Sequence, residues 1–146
     1  IMKRVLFVCT GNTCRSPMAQ GLMNHLSNEK ELAVQATSAG LAADGEPIAE
    51  NALAALQELG IDMSYHRSRP LNENDIENAN AIFCMTQSQM MAIVSIYPAS
   101  ADRLYLLGEG IDDPYGGNLE MYRRCRDKIQ AALPGVLKVL EEPADA

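Results

Sequence analysis

Positive charge is scarce in this sequence: Lys and Arg number 12 against 19 Asp and Glu in 146 residues, a formal net charge of −7. Such a chain meets nucleic acids and anionic membranes with an unfavourable long-range field, so neither is expected as a partner. A signal-like segment and an apolar run of membrane-spanning length are both missing, which points to a cytoplasmic protein. Linkers and repeats are missing too. Residues 1–146 therefore read as a single domain, and a hydrophobic content of 47% suffices for a core without disulfides or metals. The 4 cysteines and 2 histidines nowhere take zinc-ligand spacing, so no metal or cofactor is expected and the thiols should be reduced. The Gly-x4-Gly-Lys-Ser/Thr pattern of nucleotide-binding loops is also absent. Any recognition of phosphate must then be local.

What is present is concentrated in residues 4–20. Val5 to Val8 read as a strand buried on both faces, and it stops abruptly at Cys9 and a short polar loop. A helix should follow, with Ser16 as N-cap, Pro17 in the first helical position and Met18, Leu22 and Leu26 at four-residue spacing. Strand, tight loop and helix N-terminus in that order make an anion site, because uncommitted backbone N–H groups and the positive helix end converge on the loop.

Cys9 and Arg15 bracket that loop. Curled around an oxyanion, it would place the sulfur beneath the anion and the guanidinium beside it, with Thr10, Gly11, Asn12, Thr13 and Cys14 forming the cradle. The helix end and the cation favour the thiolate, which is the nucleophilic form. Gly11 can take positive φ, and Asn12 tolerates it better than most residues. Cys-x5-Arg alone is a weak pattern, expected by chance about 0.2 times in a chain of this composition. The buried strand before it, the Gly-Asn pair within it and the Ser-Pro after it are independent requirements, and all are met.

Farther along, strands are expected at 33–39, 81–85 and 103–107. Helices are expected from Ile48 to Leu59, closed by Gly60, and from about Ser88 to Ile96. Residues 72–79 suggest a short polar helix at best. The glycine-rich stretch 108–118 reads as a long loop of the kind that carries function. A last helix runs from Leu119 toward Leu140 with Met121, Cys125, Ile129, Leu133 and Leu137 on one face, and Pro134 should kink or restart it. Alternating strands and helices imply an α/β fold, a single doubly wound domain whose four-stranded parallel sheet carries helices on both faces.

The segment Val8-Cys9-Thr10-Gly11-Asn12-Thr13-Cys14-Arg15-Ser16-Pro17 resembles the signature of the low-molecular-weight protein tyrosine phosphatases. The likeness extends over nearly the whole chain. Ser38-Ala39-Gly40 resembles that family's second-strand end, His66 lies in a stretch like its histidine-containing loop, and Asp113-Pro114-Tyr115 looks like its general-acid segment. The resemblance implies strand order 2-1-3-4, phosphorylated proteins as substrates, and a network in which Asn12, Ser16, Ser38 and His66 hold the loop. From the residues alone, Asn12 and Ser38 could be turn residues, His25 has no assignment, and Asp112 is a turn residue or a modulator of its neighbour.

Asp113 is the main candidate for the acid that protonates a leaving group, with a turn aspartate before proline as the alternative. Tyr115 is a candidate wall for the substrate side chain. Cys14 lies near enough on the loop to pair reversibly with Cys9 under oxidation, or else it is a small packing residue. Cys84 and Cys125 read as buried core thiols. The sequence departs from the tyrosine phosphatase pattern at Thr13, where a branched aliphatic residue is usual, and at Gly116, where a second tyrosine is common. Threonine there, with Gly-Gly after Asp-Pro-aromatic, resembles the bacterial protein arginine phosphatases. The expected activity is a cysteine-dependent protein phosphatase, phosphoarginine before phosphotyrosine, in a monomer or weak dimer. Thiol-dependent arsenate reduction ranks behind both, because Cys84 has no cysteine partner in 86–91.

Overall fold

The structure, a computed structural model, describes residues 1–142. Strand β1 (Lys3–Cys9) leads into helix α1 (Arg15–Glu29), strand β2 (Val34–Gly40), helix α2 (Glu50–Gln57) and helix α3 (Glu73–Asn78). Strand β3 (Ala81–Cys84), helix α4 (Gln87–Ile96), a 3-10 turn (Pro98–Arg103), strand β4 (Leu104–Leu106) and helix α5 (Leu119–Glu141) complete the order. The strands form one sheet in the order β2-β1-β3-β4, all parallel, as the sequence reading expected.

β1 is buried on both faces because each face meets helices. Val5, Phe7 and Cys9 enter the larger core under α1, α2 and α5, whereas Leu6 and Val8 enter a second core with Ile76 of α3 and Ile93 of α4. A period of two thus divides one strand between two layers, and both loops that follow β1 and β4 emerge at the carboxyl edge of the sheet. Two short helices are fixed by reciprocal caps, Asn72 with Asp75 and Thr86 with Gln89.

Three expectations about helices need correction. α1 begins at Arg15, with Cys14 at the N-cap and no side-chain cap, so Ser16 and Pro17 lie inside the first turn. The Ser16 hydroxyl is committed to Cys9 and Asn12 instead. On α5 the buried stripe is Tyr122, Cys125, Ile129, Leu133, Val136 and Leu140, while Met121 is 47% exposed and Leu137 only partly buried. Nor does the helix restart at Pro134. Pro134 faces solvent, and buried Leu133 and Val136 anchor the turns on either side of it.

A salt-bridge cluster docks α5 on the end of α2: Glu58 accepts from Arg123 at 2.6 Å and from Arg126 at 2.7 Å. The hydrogen bonds from Arg123 and then Arg126 hold its carboxyl down at about 2. Because Pro134 is exposed and denies Gln130 a helical hydrogen bond, Pro134→Ala should stabilise the fold by about 1–2 kcal/mol, net of the entropy it returns to the unfolded chain. Urea denaturation reads this directly. A loss of stability would instead assign the proline ring a packing role.

Candidate active site

The site is built at the end of β1, where the chain must reverse within five residues to enter α1. Asn12 makes that reversal at φ 56 and is wholly buried. Asparagine is among the few residues with a side chain that take this conformation at small cost. Each of its polar groups has a partner. Its N–H points at Cys9 Sγ (3.3 Å), and its carbonyl accepts from His66 Nε2 (2.8 Å). Its side-chain oxygen accepts the Arg69 N–H (3.0 Å), and its amide donates to Ser16 Oγ (2.8 Å) and Ser38 Oγ (3.0 Å).

This network decides where the Ser16 proton goes. Ser16 Oγ already accepts from Asn12 and lies 2.8 Å from Cys9 Sγ, which leaves its own hydrogen for the sulfur. Two donors therefore converge on Cys9, a residue 3% exposed at the floor of the loop. Ser38 passes its proton on to Gln20 Oε1 at 2.5 Å. Among the described residues the N–H groups of Gly11, Thr13 and Cys14 donate to no protein acceptor, so a row of donors remains at the uncapped start of α1.

Gly40 ends β2 against this loop. A Cβ there would stand 2.8 Å from the Thr10 carbonyl oxygen and 2.9 Å from Asn12 Cβ, so only glycine allows the approach. The following segment then pins the loop backbone, with Leu41, Ala42 and Ala49 N–H groups bonded to the carbonyls of Cys9, Thr10 and Thr13. Thr10 is held from the other side, where its hydroxyl accepts from Gln89 Nε2 at 3.2 Å.

Arg15 projects from the first residue of α1 toward the loop after β4. Its guanidinium is buried, donating to the Ile111 carbonyl at 2.8 Å and lying 3.7 Å from Asp113 Oδ2. Asp113 is half exposed, and its other oxygen accepts the Tyr115 N–H at 3.1 Å. Tyr115 stands out into solvent, 78% exposed, at the rim. Cys14 turns its sulfur to Tyr122 Oη at 3.3 Å and Thr13 Oγ1 at 3.7 Å, and burial pushes its thiol up. All 4 cysteines are free.

The sequence-predicted residues Cys9, Thr10, Gly11, Asn12, Thr13, Cys14, Arg15, Ser16, Ser38, His66 and Asp113 are thus brought to one place, with Tyr115 at its edge. His25 is elsewhere, paired with Glu29 on the outside of α1. Tyr122, Gln89, Arg69 and Gln20 were not anticipated. The Thr86-x-x-Gln89 capping box was a readable signal for one of them; the others carry none. Among the described residues no group of three or more His, Cys, Asp or Glu could hold a metal, and no helix is long and apolar enough to cross a membrane.

A buried thiol under a ring of free N–H groups, at the carboxyl edge of a doubly wound parallel sheet, defines a cysteine-dependent phosphatase of the small α/β type. Residues 4–145 match the low molecular weight phosphotyrosine protein phosphatase family, and the chain belongs to that family. It is 37% identical to a protein-arginine-phosphatase of Geobacillus stearothermophilus over 94% of this chain and 96% of that one. It is 35% identical to arsenate reductase 1 of Staphylococcus epidermidis over 90% and 92%. A crystal structure of a low molecular weight protein tyrosine phosphatase from T. tengcongensis superposes with a TM-score of 0.89 at 38% identity, covering 93% of this chain and 98% of that one. An arginine phosphatase, YwlE, mutated to carry a phosphorylated active-site serine gives 0.87 at 33% identity, with 95% and 96% covered.

His66 gives the site a pH signature. Burial lowers its proton affinity below the ordinary value of 6.5, its bond to the Asn12 carbonyl works weakly against this, and Arg69 adds to the lowering. In the unfolded chain it titrates near 6.5, so below that pH the unfolded form takes up a proton that the folded form declines. Its contribution is complete above about 6.5 and is lost as pH falls toward the lower folded value. Stability measured from pH 8 down to 5 should therefore drop more steeply in the wild type than in His66→Gln. Parallel curves would mean that His66 titrates alike in both states.

Proposed function

We propose that this phosphatase acts on phosphoarginine side chains of proteins through a cysteinyl-phosphate intermediate. The observation that carries the reading is the Cys9 sulfur, held by the Asn12 N–H and the Ser16 hydroxyl beneath free loop donors and beside Arg15. Cys9 attacks phosphorus, forming the S–P bond as the P–N bond breaks, and Asp113 supplies the proton that the departing guanidine needs. Water then attacks phosphorus while Asp113 takes its proton; the O–P bond forms as the S–P bond breaks, the Cys9 thiolate is restored and phosphate leaves. Arg15 and the free N–H groups of Gly11, Thr13 and Cys14 bind the equatorial oxygens throughout, which supplies most of the transition-state stabilisation.

Thr13 is the residue we assign to substrate choice. A threonine hydroxyl offers the polar, cationic guanidinium a partner, whereas a branched aliphatic side chain would suit an aromatic ring. The sequence likeness to protein-arginine-phosphatases at 37% and 34% identity supports this. Ser16, Ser38 and His66 hold the loop through Asn12, Tyr115 walls the opening, and Cys14 pairs with Cys9 under oxidation. The relatives are bacterial, and the reading extends to a bacterial, cytoplasmic enzyme acting as a monomer or weak dimer. Phosphotyrosine is the second reading, because exposed Tyr115 can stack on a ring. Arsenate reduction is disfavoured by Cys84, wholly buried with its thiol pushed up to about 12 by burial.

Cys9→Ser should lower turnover of aryl phosphates and phosphoarginine by a factor on the order of 10³ or more while inorganic phosphate still binds. Retained turnover would exclude the covalent route. Thr13→Ile should lower phosphoarginine hydrolysis and raise phosphotyrosine hydrolysis, each roughly tenfold. A wild type that prefers phosphotyrosine, or parallel changes on both substrates, would leave a tyrosine phosphatase. Asp113→Asn should slow aryl phosphates with poor leaving groups about 10²-fold and those with good leaving groups far less. Equal losses would place the acid elsewhere.

A further inference from the structure

Helix α5 presents a tyrosine to the underside of the cradle. Tyr122 is 3% exposed, and the hydrogen bond of its hydroxyl among the described residues is to Cys14 Sγ at 3.3 Å. The sulfur of Cys14 is thereby turned toward α5. Cys9 Sγ has Ser16 and Asn12 as its partners instead, so the two loop thiols face different neighbours although they belong to one cradle. Burial raises both the Cys14 thiol and the Tyr122 hydroxyl, and each carries its proton near neutral pH.

We propose that Tyr122 is a positioning residue that sets the redox poise of the Cys9–Cys14 pair, holding it toward the dithiol. The proposal rests on the reading of Cys14 as the oxidation partner of Cys9. In a disulfide the Cys14 sulfur must bond to Cys9 and turn away from α5. The tether is therefore made in the reduced protein alone, and oxidation strands a buried hydroxyl without its acceptor. An interaction confined to one side of an equilibrium favours that side, and a buried unsatisfied hydroxyl adds to the bias. The loss of both should shift the equilibrium about tenfold, equivalent to about 30 mV for a two-electron couple. With glutathione disulfide as oxidant the exchange balances: one S–S bond forms in the protein, one breaks in the oxidant, and two glutathione thiols take up the two electrons and two protons.

Tyr122→Phe keeps the ring and removes only the hydroxyl. The full-length protein and the variant are equilibrated in glutathione buffers of graded ratio, thiols are trapped by alkylation, and mass spectrometry reports the Cys9–Cys14 disulfide. The variant should reach half-oxidation at a glutathione disulfide fraction corresponding to a potential about 30 mV more negative, or oxidise where the wild type does not. An unchanged or more positive midpoint overturns the role of Tyr122 while leaving the disulfide intact. No intramolecular disulfide in either protein, or an equal one in Cys14→Ser, overturns the reading of Cys14 and the proposal with it. A second measurement guards against a variant that folds poorly: oxidation of the wild type should perturb its near-ultraviolet tyrosine absorbance as Tyr122 loses its partner. Absence of that change in a wild type shown to be oxidised overturns the tether.

Discussion

The constraint on which the rest depends is the burial of Asn12 in a left-handed conformation. A residue so placed carries a conformational cost and two buried polar ends, and such a state persists only where surrounding contacts over-determine it. Here they do, through β2 (Ser38), α1 (Ser16) and the segment after α2 (His66 and Arg69). The bond from Asn12 to Ser16 also fixes the hydroxyl that meets the Cys9 sulfur, and the Asn12 N–H meets that sulfur itself. The cost of the turn and the aim of the nucleophile are consequently one problem with one solution. Gly40 completes it by letting β2 approach so closely that a Cβ there would stand 2.8 Å from the Thr10 carbonyl oxygen.

A second coupling runs from the cradle to the loop after β4. The topology places the loops after β1 and β4 at the same edge of the sheet, yet β3 lies between those strands, so their alignment requires side chains. Arg15 provides it, spanning from α1 to the Ile111 carbonyl and Asp113. α5 braces the same pair from beneath, with Tyr122 against Cys14 and the Glu58 salt bridges fixing the helix on α2. A chain of net charge −7 thus concentrates one buried cation where an anion must bind. Short-range donors prevail there because screening and distance weaken the surrounding negative field, while the buried guanidinium is screened little.

The legible part of this protein was its local part. β1, the loop and the start of α1 are contiguous, and their signals are strand burial, permissive residues and a cysteine–arginine spacing, all of which can be read from adjacent residues. The alternation of strands and helices gave the fold class by the same logic, whereas the strand order came by resemblance. Ser16 has the spacing of a cap, but a cap would consume an N–H that the uncapped helix start keeps free. On α5 the stripe was placed one residue off at Met121, since a 3.6-residue period cannot by itself distinguish Met121 from Tyr122. Arg69, Gln89 and Tyr122 reach the loop across 57, 79 and 108 residues of sequence, and no local pattern encodes such contacts.

The same arrangement separates the backbone of the cradle from the side chains that it carries. Thr13 shows why divergence at the rim need not disturb the centre. Its carbonyl is pinned by the Ala49 N–H at 2.9 Å, and the backbone before it is fixed by Asn12, so its side chain can change while the N–H groups of the loop keep their direction. Asn12 has no such freedom, because its side chain bonds Ser16, Ser38 and the Arg69 N–H at once, and an alternative loses one or more of these bonds. Residues that hold the sulfur are therefore locked to one another, whereas among the described residues the Thr13 side chain reaches only the adjacent Cys14 sulfur, at 3.7 Å. The locked Asn12 side chain and the loosely held Thr13 side chain are separated by a single peptide bond.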